Sequence, residues 1–279
     1  MVGHRDKRVQ MFISNRLIYL QMQKTGSTHV TKVVKQFAGG RTRLRHGQME
    51  NYEQYKDRLI VSSVRNPWDW YVSLWAFGCG GSGGLMRYLT GLPLSEVHHA
   101  IKQRSFPATA QSAIRLVSRA GRRPDWPGLY ADAFNEANFR KWLKLLLGSE
   151  GQFVSKEGYS ASAIKTVCGY MTYRFLALTT EFGQWNAEGR AARSYDDVVA
   201  FADRHSVATR ILRMESLNDD LLDMLQSLGL NVTPADLDAI AKTNTSTHRK
   251  YSDYYDEETH RLVAERDRFI IDRFGYQLF

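Results

Sequence analysis

The pattern that most constrains this chain is a short apolar run that stops at a polar loop and passes into a helix, and it occurs twice. Arg16-Leu-Ile-Tyr-Leu-Gln-Met22 reads as a buried strand. It stops at Gln23-Lys24-Thr25-Gly26-Ser27-Thr28, after which Val30, Val33, Val34 and Phe37 recur at helical spacing up to Gly39-Gly40. Leu59-Ile-Val-Ser-Ser-Val64 opens the second unit, which runs through Arg65-Asn66-Pro67 into a helix carrying Trp68, Tyr71, Val72 and Trp75. Asn66 suits an N-cap, Pro67 the first helical position, and Asp69 the first turn, where the helix dipole favours a carboxylate. Two such units about 40 residues apart, with Arg43 to Gln48 as a short strand between them, predict an α/β fold with a central parallel sheet flanked by helices.

After Phe77 the pattern changes. Gly78, Gly80, Gly81, Gly83 and Gly84 surround Cys79 and Ser82, and clear periodicity is lost up to Pro124-Asp-Trp-Pro-Gly128. The segment 78–84 reads as a mobile loop, and roughly 78–205 as an insertion or acceptor-binding cap within one domain spanning 1–279. Helical patterning returns over Asn138–Leu147 and around Asp196 to Phe201. A strand is expected over Ala208–Met214, followed by helices from Asp219 to Leu228, from Thr233-Pro234, and a last long one from Asp256 to Phe274.

The chain has 38 Lys and Arg against 29 Asp and Glu, a formal net charge of +9, spread along its length. That balance suits an anionic ligand or acceptor, while the absence of a nucleic-acid motif argues against a nucleic-acid partner. Cys79 and Cys168 stand alone, without the Cys/His spacing of a metal site or the density of a disulfide framework, so no metal is expected. A polar N-terminus and apolar runs too short to span a bilayer read as a cytoplasmic protein without a transmembrane segment.

The chemistry sits in the strand-to-helix loops. Gly26 lets the backbone approach a ligand, the helix N-terminus offers unpaired N–H groups, and Lys24, Thr25, Ser27 and Thr28 add a cation and three hydroxyls: a phosphate cradle. It is not a Walker A loop, because the lysine precedes the glycine. Arg65, at the end of the second strand, lies on the edge where open α/β sheets bind ligands and can meet a second anionic group.

These two loops, Gln23-Lys-Thr-Gly-Ser-Thr28 and Val64-Arg-Asn-Pro-Trp-Asp-Trp-Tyr-Val-Ser-Leu-Trp75, resemble the 5'-phosphosulfate loop and the 3'-phosphate segment of the sulfotransferases that use 3'-phosphoadenosine 5'-phosphosulfate (PAPS), in particular the carbohydrate and bacterial branch. Arg213-Met-Glu-Ser-Leu217, Asn244-Thr-Ser-Thr-His-Arg-Lys-Tyr251, Tyr254-Tyr-Asp256 and Arg273-Phe-Gly-Tyr276 extend the resemblance, whereas 78–205 matches little of it. The resemblance implies a P-loop-kinase-like fold and transfer of a sulfuryl group from PAPS to an acceptor hydroxyl, a carbohydrate being favoured over a lipid or small molecule, with adenosine 3',5'-bisphosphate (PAP) as product. It further implies that Arg65 and Ser73 bind the 3'-phosphate and that Ser246 and Arg249, in the C-terminal polar segment, close over the cofactor.

Lys24 is suited to stabilising charge that grows on the leaving phosphate, without a metal. Of the eight histidines, His46 is the expected general base, being placed after the first helix on the predicted second strand; His29, Glu50 and Glu181 are the alternatives. Trp68, Trp70 and Trp75 read as core, and Trp126 and Trp185 as rings for stacking on an acceptor. The competing functions are a nucleotide-dependent, kinase-like transferase and a basic polyanion-binding protein with a degenerate cofactor site.

Overall fold

A computed structural model describes residues 11–43, 52–91, 124–148, 158–240 and 248–277. Five strands, β1 (Met11–Ile13), β2 (Leu17–Leu20), β3 (Arg41–Arg43), β4 (Leu59–Val64) and β5 (Arg210–Arg213), form one sheet in the order β3-β1-β2-β4-β5. β2, β4 and β5 run parallel, with Leu17 opposite Leu59 and Val61 opposite Arg210. β1 is antiparallel to both β2 and β3.

The sheet is therefore mixed, and the expected parallel arrangement holds for its β2-β4-β5 part. The link between β1 and β2 is too short for a crossover, so they form a hairpin. Its turn is tied by Ser14, whose Oγ accepts from the N–H groups of Arg16 (3.2 Å) and Leu17 (3.0 Å). Arg41–Arg43 forms a strand on the outer side of β1, so that the strand expected over Arg43 to Gln48 is seen only at Arg43. Gly39 and Gly40, both at positive φ, turn the chain abruptly after the first helix and direct it there. Residues 44–48 lie outside the described residues.

Twelve helices are described: α1 (Ser27–Ala38), α2 (Pro67–Cys79), α3 (Gly84–Thr90), α4 (Trp126–Leu129), α5 (Glu136–Leu147), α6 (Tyr170–Thr179), α7 (Phe182–Ala187), α8 (Tyr195–His205), α9 (Leu217–Ser227), α10 (Pro234–Asp238), α11 (Glu257–Arg266) and α12 (Arg268–Phe274). Alternation along the strands divides the core into two layers. Leu17, Tyr19, Val61 and Leu212 pack with Val30, Val33 and Val34 of α1 and Leu221, Met224 and Leu225 of α9. Ile18, Leu20, Ile60 and Val64 pack on the other face with α2, α5 and α6. Among the described residues no helix is long and apolar enough to cross a membrane.

α2 is the central helix of the second layer. Asn66 caps it by accepting from Trp68 and Asp69 N–H groups, Pro67 starts it, and Trp68, Trp70 and Trp75 are fully buried, as expected of core rings. Truncating one such ring to alanine costs about 3 to 5 kcal/mol.

Two expectations change here. The glycine segment is not an open loop: Gly78 is buried within α2 against Tyr130, Gly84 begins α3, and only 80–83 form a turn between them. That turn is bonded through Gly81 N–H to Gly78 O (2.9 Å) and Ser82 N–H to Phe77 O (3.3 Å). The single long helix expected from Asp256 to Phe274 is two, broken at Asp267. The buried Asp267 carboxylate accepts from Tyr71 Oη (2.6 Å), Thr172 N (2.8 Å) and Thr172 Oγ1 (2.7 Å), and burial raises its pKa.

Candidate functional site

The three parallel strands end side by side, and each end carries part of one site: Gln23–Gly26 after β2, Arg65-Asn66 after β4, and Glu215 after β5. The carboxyl edge of parallel strands is where open α/β sheets take ligands.

The loop after β2 is built to present backbone. Lys24 has φ 63°, the one positive φ outside glycine among the described residues, and Gly26 has φ 72° as the N-cap of α1. A side chain on Gly26 would place its Cβ 2.6 Å from Leu217 Cδ2 and 2.8 Å from Met214 Sδ, so both side chains would have to shift, and the positive φ strains any other residue there. No side chain caps the N-terminus of α1, and its first turn holds no carboxylate. The end of the helix dipole is thereby left for an anion.

Three contacts from the second unit fix the loop. Trp70 Nε1 donates to Gln23 O (2.8 Å), Arg65 Nη1 donates to Lys24 O (3.1 Å), and Thr25 Oγ1 bonds both Met22 O (2.8 Å) and Ser63 Oγ (2.6 Å). Ser63 Oγ in turn meets Tyr19 Oη at 2.7 Å. Thr25 is fully buried, so its hydroxyl shapes the loop from below and is not one of the expected ligand hydroxyls. Ser27 is half-buried and Thr28 exposed at the start of α1, where their N–H and hydroxyl groups suit the cradle.

The half-buried ammonium of Lys24 lies 4.2 Å from the centroid of the Phe77 ring and meets no carboxylate among the described residues. Burial, reinforced by the nearby Arg65 charge, pulls its pKa down to about 8. Arg65 has a carboxylate partner: Asp69 Oδ2 accepts from its Nε (2.8 Å) and Nη2 (2.7 Å). Glu215 closes the third corner, its Oε1 accepting from Asn66 N (2.6 Å) and its Oε2 from Tyr276 Oη (3.1 Å).

Of the remaining expected site residues, some are engaged elsewhere and some lie outside the described residues. Ser73 is buried within α2. Arg249 is bound to Glu136 Oε2 (2.7 Å) and the carbonyl of Phe134, over the Tyr254 ring, and these contacts engage its guanidinium. His46, Glu50 and Ser246 lie outside the described residues. His29 is buried, its Nε2 3.1 Å from Asn218 Oδ1 on α9, and so it is engaged away from the sheet edge. Glu181 follows Thr180, which bridges Ser206 before β5 begins, and this puts it at the opposite end of the sheet. Trp126 and Trp185 are buried core rings and cannot stack on an acceptor.

Trp70, Phe77 and Glu215 belong to the site without having been expected there. The signal for the Thr25 anchor was visible: Ser62-Ser63 is a polar pair in an otherwise apolar strand, and buried hydroxyls require partners. A separate groove of about 660 Å³ between α5 and α11 is lined by Arg140, Lys141, Lys144, Asp256 and Glu258, but Lys144 is paired with Glu258 and Arg140 with Asp256. Comparison with family models, with curated proteins and with solved structures found no match to this chain.

Proposed function

We propose that the protein is a PAPS-dependent sulfotransferase that sulfates an acceptor hydroxyl, a carbohydrate being the favoured acceptor. The observation that carries this reading is the pairing of Lys24, beside an uncapped helix N-terminus, with Arg65 at the next strand end, the two loops joined by the Arg65–Lys24 hydrogen bond. One loop suits the 5' phosphosulfate end of the nucleotide and the other the 3' phosphate.

The fit is good at the first end. Lys24 has a cation with no carboxylate partner among the described residues, Gly26 leaves the backbone bare, and no side chain caps the N-terminus of α1. At the second end Arg65 must share its guanidinium between Asp69 and the ligand. PAPS, when bound, supplies an activated sulfuryl group on a phosphate leaving group.

The chain's own groups then divide the work. The α1 N-terminus with Ser27 and Thr28 orients the anion, and Trp70, Arg65 and Thr25 keep the loop in its strained conformation. Lys24 places positive charge where negative charge grows in the transition state. Proton removal from the acceptor hydroxyl falls to His46 in this reading, with Glu50 as the remaining alternative.

The test is transfer of ³⁵S from labelled PAPS to a panel of hydroxyl acceptors, oligosaccharides first, by wild-type protein and Lys24→Ala. Labelled product that depends on Lys24 is expected. No transfer to any acceptor class, with PAP failing to bind, would overturn the assignment. Phosphoryl transfer from ATP would favour the kinase-like alternative.

A further inference from the structure

Phe77 is one of four large apolar side chains exposed to solvent among the described residues, at 37%, and it is placed directly against the candidate site. Its ring has a cation on one side and a tight turn on another. Lys24 Nζ is 4.2 Å from the ring centroid. A Cβ added to Gly83 would be 3.2 Å from Phe77 Cδ1, which places the ring close against the glycine turn. The Phe77 carbonyl also accepts from Ser82 N–H of that turn (3.3 Å). Position 77 is thus held by both α2 and the turn.

We propose that Phe77 is a positioning residue for Lys24, its ring face holding the ammonium beside the open N-terminus of α1 until an anion takes it over. The inference rests on the reading of the Gln23–Thr28 loop as an anion site. Among the described residues the charge that acts on Lys24 is that of Arg65, just after β4, which repels the ammonium and is itself bound to Asp69 of α2. The ring quadrupole supplies the attraction that the missing carboxylate would otherwise give.

Protein labelled with ¹³C at lysine Cε, with the Lys24 resonance assigned by its loss in Lys24→Arg, tests this without any ligand. In wild-type protein the resonance should carry a ring-current shift that disappears in Phe77→Leu and survives in Phe77→Tyr. The titration midpoint of Lys24 should fall by about half a pH unit or more in Phe77→Leu, because leucine still buries the amine but no longer attracts its charge; Phe77→Tyr should restore it. Unchanged shift and midpoint in Phe77→Leu would overturn the assignment, since a ring that only fills space is replaced by leucine without consequence for the charge.

PAP added to the same samples should move the wild-type Lys24 resonance off its ring-shifted position. A Phe77-dependent midpoint with no PAP binding would overturn the nucleotide reading alone. PAP binding with Phe77→Leu indistinguishable from wild type in both readouts would overturn the Phe77 assignment alone.

Discussion

Arg65 Nη1 donates a hydrogen bond to the main-chain oxygen of Lys24 at 3.1 Å, so the residue that follows β4 holds the backbone of the residue that turns left-handed after β2. A positive φ on a lysine is costly and persists only where surrounding contacts over-determine it. Here they are Arg65, Trp70 on the Gln23 carbonyl, and the Thr25 anchor. The two loops consequently act as one unit, and perturbing either should be felt in the other.

Arg65→Ala should weaken PAP binding by roughly 2 to 4 kcal/mol, because it removes a charged partner and loosens the Lys24 turn together. Asp69→Asn should act oppositely and tighten binding, since it frees a guanidinium now held at 2.7 Å. Titration calorimetry on both variants checks the pair. Equal weakening by both would mean that the Arg65–Asp69 bridge serves architecture only.

Thr25→Val should lower thermal stability by roughly 1 to 3 kcal/mol, because Ser63 Oγ and Met22 O both lose a buried partner. Thr25→Ser should restore most of it. Thermal denaturation of these variants beside Thr28→Ala, whose exposed side chain should matter little to folding, separates the anchor from the cradle.

Lys24 carries a pH signature in both stability and binding. Its pKa is pulled from 10.5 to about 8 in the folded protein, so between these values the unfolded chain binds more protons and stability rises with pH. Below pH 8 both states are protonated and the full cost of burying the charge remains. Lys24→Met should therefore be more stable than wild type at pH 7, by roughly 1 to 3 kcal/mol, with the gain shrinking toward pH 10.5. PAP affinity of wild type should weaken as pH rises through 8, when the amine loses its proton. A pH-independent difference in melting temperature between the two proteins would contradict this.

Asp267 is a structural counterpart. Its carboxylate, buried between Tyr71 and Thr172, has a raised pKa, so the folded state binds the extra proton and stability falls as pH climbs from the ordinary 3.8 through the raised value. Asp267→Ala should cost roughly 2 to 4 kcal/mol at neutral pH, since three buried donors lose their acceptor, and should remove that acid-side slope. Chemical denaturation at several pH values measures both.

Local chemistry made much of this arrangement legible in the sequence. Periodicity marked β2, β4, α1 and α2, and Asn66-Pro67 marked the start of α2, because capping and alternation are encoded within a few residues. The hairpin of β1 with β2 and the edge position of β3 were not readable, for three-residue strands carry too little pattern to reveal their partners. Trp126 and Trp185 were misplaced for the same kind of reason: loop-like neighbours say nothing about a ring that is buried by residues distant in sequence. Lys24, Gly26 and Arg65 were legible as a set, whereas Phe77 was not, since an aromatic at a helix end is usually core. The commitment of Arg249 to Glu136 depends on a contact across more than a hundred residues.

Under the proposed function the ends of β2 and β4 bind one nucleotide bearing phosphates at both its 5' and 3' positions. Isothermal titration of wild-type protein, Lys24→Ala and Arg65→Ala with PAP and with ATP measures that binding. Saturable one-to-one binding of PAP is expected, preferred over ATP and weakened in both variants. Equal or tighter binding of ATP, or PAP binding unaffected by either substitution, would contradict it.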